Sequence, residues 1–280
     1  MYKLGLIGYP LSHSISGIIQ QAGLKSLNLE GTYEILETNP EDLITRIKYL
    51  KTNGYNGFNV TIPLKVPISL FLETVDKYAD IAGCANTIKI NPEDKTFHGY
   101  NTDVLGFQKA IPEDFSLRNK TASILGTGGA ARAATIGIAE LGIKQIDFYT
   151  RNIINSSNTI NYFREKFPEI KINVYQIQVL KTLENSDMLI NTTPIGMRSK
   201  AMNEMPVSKE VLSTMKQDAL VYDVIYNPIK TALLEEAEKQ GLRTVNGLDM
   251  LIYQGAKALK IWTGKYPDVK DMKIAALQAL

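Results

Sequence analysis

The chain has 280 residues, 44% of them apolar, and 31 Lys and Arg against 29 Asp and Glu leave a formal charge of +2. That length is where a single hydrophobic core stops growing, so two domains are expected, and so even a charge balance excludes the electrostatic footprint of a nucleic-acid or anionic-membrane binder, leaving small solutes as ligands. The single cysteine, Cys84, excludes an internal disulfide, no apolar run approaches the ~20 residues of a spanning helix, and the first eight residues read as a strand rather than a signal peptide, so a cytoplasmic protein is expected.

Residues 3–7 form an apolar strand that Gly8, Tyr9 and Pro10 break. The loop behind it crowds Ser12, Ser14 and Ser16 ahead of a helix over residues 17–27, and these hydroxyls either cap that helix or bind a carboxylate. A second strand over residues 32–36 leads through Asn39, Pro40, Glu41 and Asp42 into an amphipathic helix with Leu43, Ile47 and Leu50 on one face, ended by Gly54. This strand-helix alternation is the rhythm of an open, mostly parallel α/β sheet. The strand at residues 57–63 alternates polar Asn59 and Thr61 with apolar Phe58, Val60 and Ile62, and Lys65 follows at its carboxyl end, where ligands sit in such sheets. A helix is expected over residues 68–82, then a strand to Ile90, a turn at residues 91–94, a short strand over residues 96–100, and Asn101, Thr102 and Asp103 at its end. Asn59, Thr61, Lys65, Asn86 and Asp103 then project from strand ends or loops, a composition suited to binding hydroxyls, unless Asn86 and Asp103 serve only their turns.

A helix from Val104 to Ala110 leads to a hinge at Pro112, Glu113 and Asp114. Beyond it, a buried strand at residues 122–125 turns through Gly126, Thr127, Gly128, Gly129 and Ala130 into a helix that Gly142 closes. Gly126 takes the tight turn, Gly128 removes a side chain where a pyrophosphate would approach the backbone, and Gly129 with Ala130 leaves the helix N-terminus open, as in a dinucleotide site. The spacing is not the commoner Gly-x-Gly-x-x-Gly, and such a turn can also bind nothing. The next strand, residues 145–149, ends at Thr150, Arg151 and Asn152, where the group that reads the adenosine ribose stands. No acid occupies that position, and a guanidinium able to grip a 2′-phosphate predicts NADP over NAD; otherwise Arg151 is a solvated surface side chain. Residues 153–159 read as mobile and 160–167 as helical; strands follow at 174–177, 187–191 and 219–225. A helix at 231–240, a short strand at 243–245, and helices at 248–264 and 268–280, returning to the first domain, complete the chain. His13, His98 and Cys84 show no ligand spacing, so no metal is expected.

Taken together, Gly8-x-Pro10 with Ser14-x-Ser16, Asn59-Val-Thr-Ile-Pro-x-Lys65, Asn86-Thr87, Gly99-Tyr-Asn-Thr-Asp103, Gly126-Thr-Gly-Gly-Ala130, Asn191-Thr-Thr193, Tyr226-x-Pro228 and Gly247-Leu-Asp-Met-Leu-x-x-Gln-Gly255 with Trp262 resemble the shikimate dehydrogenase family over nearly the whole chain. The resemblance implies two open, mostly parallel α/β domains flanking a cleft: residues 1–104 with 248–280 for substrate, and residues 105–247, of Rossmann type, for NADP. It implies reversible NADP-dependent reduction of 3-dehydroshikimate to shikimate, a step toward chorismate and aromatic amino acids, by a monomer or homodimer. In that pattern Ser14, Ser16 and Tyr226 hold the substrate carboxylate, and Thr61, Asn86, Asp103 and Gln254 its hydroxyls. Lys65 and Asp103 match the catalytic pair. Gly126, Thr127, Gly128, Gly129, Ala130, Thr150, Arg151, Asn152, Thr193, Val224, Gly247 and Met250 match cofactor contacts. The chain departs from the family's Pro-x-x-His-Asn after Ser16, having Gly17, Gln20 and Gln21, which loosens the expected helix start. A quinate/shikimate dehydrogenase using NAD or NADP, and a non-catalytic ligand-sensing relative, are the alternatives; Lys65 and Asp103 argue against the second.

Hydride reduction of a ketone leaves an alkoxide that needs a proton, and Lys65 is the candidate donor. Asp103 beside it would raise the lysine's pKa while desolvation would lower it.

Overall fold

The structure, a computed structural model, describes residues 1–198 and 201–280, and the chain falls into one unit of residues 1–106 with 251–280 and another of residues 107–250. In the first unit, β1 (Tyr2–Gly8), β2 (Gly31–Glu37), β3 (Gly57–Val60), β4 (Thr74–Val75), β5 (Thr87–Ile90) and β6 (Phe97–Tyr100) form one sheet in the order β2-β1-β3-β5-β6-β4. Only β5 runs against the rest, pairing antiparallel with β3 and β6. Along β3, Phe58 and Val60 join a core with Ile7, Leu50, Ile88 and Phe97, so the period-two geometry of a strand sends Asn59 to the opposite face. Helices α1 (Ser16–Ser26) and α2 (Leu43–Thr52) follow the first two strands.

The helix expected over residues 68–82 is instead a single-turn 3-10 segment (Pro67–Phe71), the two-residue strand β4 and a short helix α3 (Lys77–Ala82). β-branched Thr74 and Val75 suit an edge strand beside β6. Asp76 then starts a new helix, its side chain accepting from Ala79 N at 2.7 Å, and Gly83 ends it at φ +60°.

α4 (Asp103–Ala110) leads out of this unit, and α9 (Leu248–Thr263) and α10 (Val269–Ala279) return the chain to it, α10 packing on α1. Trp262 anchors α9 by donating from Nε1 to Ile88 O at 2.9 Å. A Cβ on Gly57 would overlap that indole, so the close approach requires glycine there.

The second unit holds β7 (Thr121–Leu125), β8 (Gln145–Thr150), β9 (Lys171–Gln176), β10 (Met188–Asn191), β11 (Leu220–Asp223) and β12 (Arg243–Val245), parallel throughout in the order β12-β11-β10-β7-β8-β9. The chain builds outward from β7 to β9 and then crosses back to β10, which makes the carboxyl ends of β7 and β10 a topological switch point, the place where such sheets bind ligands. Its helices are α5 (Gly129–Glu140), α6 (Ile153–Lys166), α7 (Lys209–Leu212) and α8 (Ala232–Lys239). β10 and β11 are buried throughout, as central parallel strands covered on both faces are. Phe107 stacks on Tyr222 of β11 at 4.6 Å and 7°.

Residues 153–159, expected to be mobile, are the first half of α6. Asn152 caps the helix by accepting from Asn155 N at 3.0 Å, and Ser156 turns its hydroxyl back onto Asn152 O at 2.9 Å. With Ile160 and Phe163 buried on the same helix, local bonding and packing overcome the poor helix propensity of the Asn and Ser run. Among the described residues, no group of three or more His, Cys, Asp and Glu side chains could hold a metal ion, and no helix is long and apolar enough to cross a membrane.

Candidate active site

Lys65 Nζ donates to Asp103 Oδ2 at 2.5 Å, although 38 residues separate the two in sequence. The β3–β5–β6 pairing brings them together, because Lys65 follows β3 and Asp103 follows β6. The other carboxylate oxygen is held as well: Asn86 Nδ2 donates to Asp103 Oδ1 at 2.8 Å. Asn86 is fixed in turn, its oxygen accepting from Thr102 N at 2.8 Å and Thr87 Oγ1 at 3.2 Å. Gln254 reaches the same cluster from α9, its Oε1 3.3 Å from Asn86 Nδ2 and 3.4 Å from Thr102 Oγ1. Lys65, Asn86, Asp103 and Gln254 thus share one polar site. Thr102, 2% exposed, completes it unforeseen; its place between Asn101 and Asp103 was the available signal.

Burial pushes the Lys65 ammonium's pKa down, but the charge and hydrogen bond of Asp103 outweigh it and the net displacement is upward. The lysine is therefore fully protonated at neutral pH. Thr61 stands half-buried just past β3. Asn59 is more deeply placed than a surface ligand contact: its Oδ1 accepts from Tyr33 Oη at 2.7 Å and its amide donates to Asn86 O and Thr87 Oγ1 at 3.1 and 2.9 Å. Both its N–H bonds are used inside the protein, where they brace Asn86.

Ser16 is the first residue of α1, whose N-cap is Ile15, with no side-chain cap. Ser14 Oγ accepts from Ser16 N at 3.3 Å, and Glu37 Oε1 anchors the loop by accepting from Leu11 N at 2.6 Å. Gln20 is 1% exposed and its Nε2 donates to Gly255 O at 3.3 Å, tying α1 to the α9 turn that carries Gln254.

In the second unit, Gly126 closes β7 at φ +96°, where a Cβ would stand 2.9 Å from Thr192 Oγ1. Gly128 is the N-cap of α5, without a side-chain cap, and a Cβ there would meet nothing within 4 Å. A bare helix N-terminus facing open space fits a pyrophosphate, so the residues present suit the dinucleotide that the motif implies. Thr127 and Thr150 both bond Ser156 Oγ, at 2.8 and 3.2 Å, so the buried Thr150 shapes the turn from inside. Asn152 spends its carbonyl on capping α6, whereas Arg151 is exposed. Thr193 is set by Asn191, whose Oδ1 accepts from its N and Oγ1 at 3.0 and 2.7 Å. Gly247 N donates to Ile225 O at 3.0 Å, and a Cβ on Gly247 would overlap Val224 O. Met250 is buried, and Tyr226, also in this unit, is half-buried, its phenol pKa pushed up by burial.

Two family models match, the shikimate dehydrogenase substrate binding domain over residues 6–88 and the shikimate 5'-dehydrogenase C-terminal domain over residues 247–277. The shikimate dehydrogenase (NADP(+)) of Methanocaldococcus jannaschii is 40% identical over 99% of this chain and 96% of its own length. The chain belongs to the shikimate dehydrogenase family. A crystal structure of a shikimate dehydrogenase in complex with NADP+ superposes at a TM-score of 0.89 with 39% identity, covering 99% of this chain and 95% of its own. The Thermus thermophilus shikimate 5-dehydrogenase in complex with NADP(H) and shikimate superposes at 0.85 with 30% identity, covering 100% of both. Within the shikimate dehydrogenase family, the substrate-binding model takes in Ser14, Ser16, Asn59, Thr61, Lys65 and Asn86, and the C-terminal model takes in Gly247, Met250 and Gln254.

Proposed function

We propose that the chain catalyses the reversible NADP-dependent reduction of 3-dehydroshikimate to shikimate, with residues 1–106 and 251–280 binding the substrate and residues 107–250 binding NADP. A place on the route to chorismate, a cytoplasmic setting and a monomeric or dimeric state go with that proposal. The observation that carries it is the Lys65–Asp103 pair set among Asn86, Thr102 and Gln254: an acid–base group surrounded by amides and hydroxyls that match a polyhydroxylated ring. Relatives whose complexes hold NADP and shikimate support the same reading.

Bound NADPH supplies the hydride and NADP+ accepts it. The chain's own residues do the rest. Protonated Lys65 gives a proton from Nζ to the carbonyl oxygen as negative charge builds there, and takes it back in the oxidation direction. Asp103 keeps the ammonium aimed and, with Asn86 and Gln254, accepts or donates to ring hydroxyls, which contributes through positioning. Ser14 and Ser16, beside the uncapped start of α1, hold the carboxylate, and Thr61 lies near Lys65 to receive a hydroxyl. The helix start at Gly128 and Gly129 holds the pyrophosphate, with Arg151 at the ribose phosphate.

The test is a steady-state assay of shikimate and quinate oxidation with NADP and NAD. Turnover of shikimate with NADP is the expected result; preferred turnover of quinate with NAD would favour the quinate/shikimate alternative, and no turnover of either acid would reject both enzymes. Ser14→Ala combined with Ser16→Ala is expected to raise KM for shikimate at least about tenfold with little change in kcat, because hydrogen bonds to a charged group contribute about 1.5–3 kcal/mol each and the carboxylate is unaltered during hydride transfer. A fall in kcat at constant KM would remove the serines from carboxylate binding.

A further inference from the structure

Asp223 closes β11 at its carboxyl end and is 0% exposed. Its Oδ1 accepts from Asn191 Nδ2 at 3.0 Å and from Ile225 N at 3.1 Å, and its Oδ2 accepts from Thr231 Oγ1 at 2.7 Å. Each donor belongs to a different segment. Asn191 ends β10 and fixes Thr193 and, through Nδ2, the carbonyl of Ile195 at 3.2 Å. Ile225 lies in the connection that carries Val224 and Tyr226, and its carbonyl accepts from Gly247 N. Thr231 is the N-cap of α8, accepting from Leu234 N at 3.4 Å.

We infer that Asp223 is a positioning residue, a buried clamp that holds the two loops at the carboxyl ends of β10 and β11 in the arrangement that binds NADP. The inference rests on the NADP reading above. The groups facing the carboxylate are uncharged: the Asn191 amide from β10, the Ile225 N–H from its own connection and the Thr231 hydroxyl from α8. Burial accordingly pushes its pKa up to about 6, against the pull of those three hydrogen bonds. A carboxyl whose folded pKa is raised stabilises the fold fully below the unfolded pKa, near 4, and loses that contribution as pH rises through about 6. At pH 8 the ionised clamp is therefore a cost to the fold, and its three strong acceptor bonds serve the loops. An isosteric amide removes that cost and weakens the clamp, which separates a positioning role from a merely structural one.

The experiment is a fluorescence titration of NADPH without substrate, at pH 8 and pH 5, alongside thermal unfolding of the protein free of cofactor. For Asp223→Asn at pH 8, Tm is expected to be unchanged or higher while the Kd for NADPH weakens about fivefold, the difference between a charged and a neutral acceptor. At pH 5, where the wild-type carboxyl is protonated, the two proteins should agree within about twofold. Thr231→Val, measured in parallel, removes the Oδ2 bond together with the hydroxyl that caps α8 and should weaken binding at pH 8 in the same direction, with a lower Tm from the lost cap; it carries the test should Asp223→Asn fail to fold. A Kd unchanged at pH 8 in the folded variants, or weakened equally at both pH values, overturns the clamp. Wild-type protein that binds no NADPH overturns the NADP reading and the clamp together.

Discussion

Lys65→Ala is expected to lower kcat for shikimate oxidation by about 10²–10⁴ while KM for shikimate stays within a few-fold, the range that a single general acid–base group contributes. The loss corresponds to roughly 2.7–5.4 kcal/mol of transition-state stabilisation. It is confined to proton transfer because Asn86 still holds Asp103 Oδ1, and Thr102 N and Thr87 still hold Asn86, when the ammonium is gone. Lys65→Arg separates two ways the lysine could act. A guanidinium keeps the positive charge beside the developing alkoxide but does not deprotonate in proteins, so a purely electrostatic role would be largely rescued in both directions. An acid–base role would not be. The pH profile carries the same distinction. Because Asp103 holds the Lys65 pKa above its ordinary value, only the deprotonated fraction can accept a proton from shikimate, and kcat/KM for oxidation should keep rising with pH up to and beyond the usual lysine range. In the reduction direction the same group is already protonated, and the profile should be flat from neutral pH until that range is reached. An oxidation profile that levels off near pH 7, or full activity in Lys65→Ala, would assign the proton to another group.

The elements legible in the sequence are those whose signal is local. The Gly126–Ala130 turn announces itself because a strand, a glycine at positive φ and an uncapped helix start are all written within ten or so residues. The Lys65–Asp103 contact spans 38 positions and the Thr102–Gln254 contact 152, so only the sheet order and the return of α9 bring them together. The family motifs contain all four of these residues but the resemblance gave a role to only three, and nothing in periodicity singled out Thr102, whose backbone N–H and hydroxyl orient Asn86 and Gln254. Asn59 shows the converse: alternation placed it correctly on the polar face of β3, while its saturation by Tyr33, Asn86 O and Thr87 depends on strands that periodicity does not pair. Two errors have one physical source, the weighing of propensity without capping. Asp76 and Asn152 each end one segment and start a helix, and each does so with a side-chain oxygen on a backbone N–H three residues on. Asp223 escaped notice because an acid at a strand end is unremarkable until its burial and its three donors are seen.

Arg151→Ala is expected to collapse the preference for NADP over NAD, measured as the ratio of their kcat/KM values, from roughly ten- to a hundredfold toward one. The structure narrows the candidates at the end of β8. Thr150 is 8% exposed and its hydroxyl is engaged with Ser156, so it shapes the turn rather than reaching a phosphate. Asn152 has its oxygen on Asn155 N, which leaves only its amide N–H groups to offer. Arg132 on α5 donates to Thr159 Oγ1 at 2.8 Å. Arg151 alone of these four combines a full charge with exposure and, among the described residues, makes no hydrogen bond or ion pair that binding would have to break. A guanidinium fork on a phosphate is worth about 1.5–3 kcal/mol per charged hydrogen bond; solvent around an exposed side chain screens part of this, which sets the lower end of the range. No carboxylate stands there to repel the 2′-phosphate or to grip the ribose hydroxyls of NAD, since Asp147 lies within β8, holding Gln145 and Asn173. The change should therefore fall on NADP, through a weaker Kd, with NAD kinetics nearly unaltered. Raising the salt concentration should erode the wild-type preference and leave Arg151→Ala indifferent, because exposed charge pairs are screened within about 10 Å at 0.1 M. A specificity ratio that survives the substitution would deny Arg151 the phosphate and shift that role to Arg132 and the Asn152 amide.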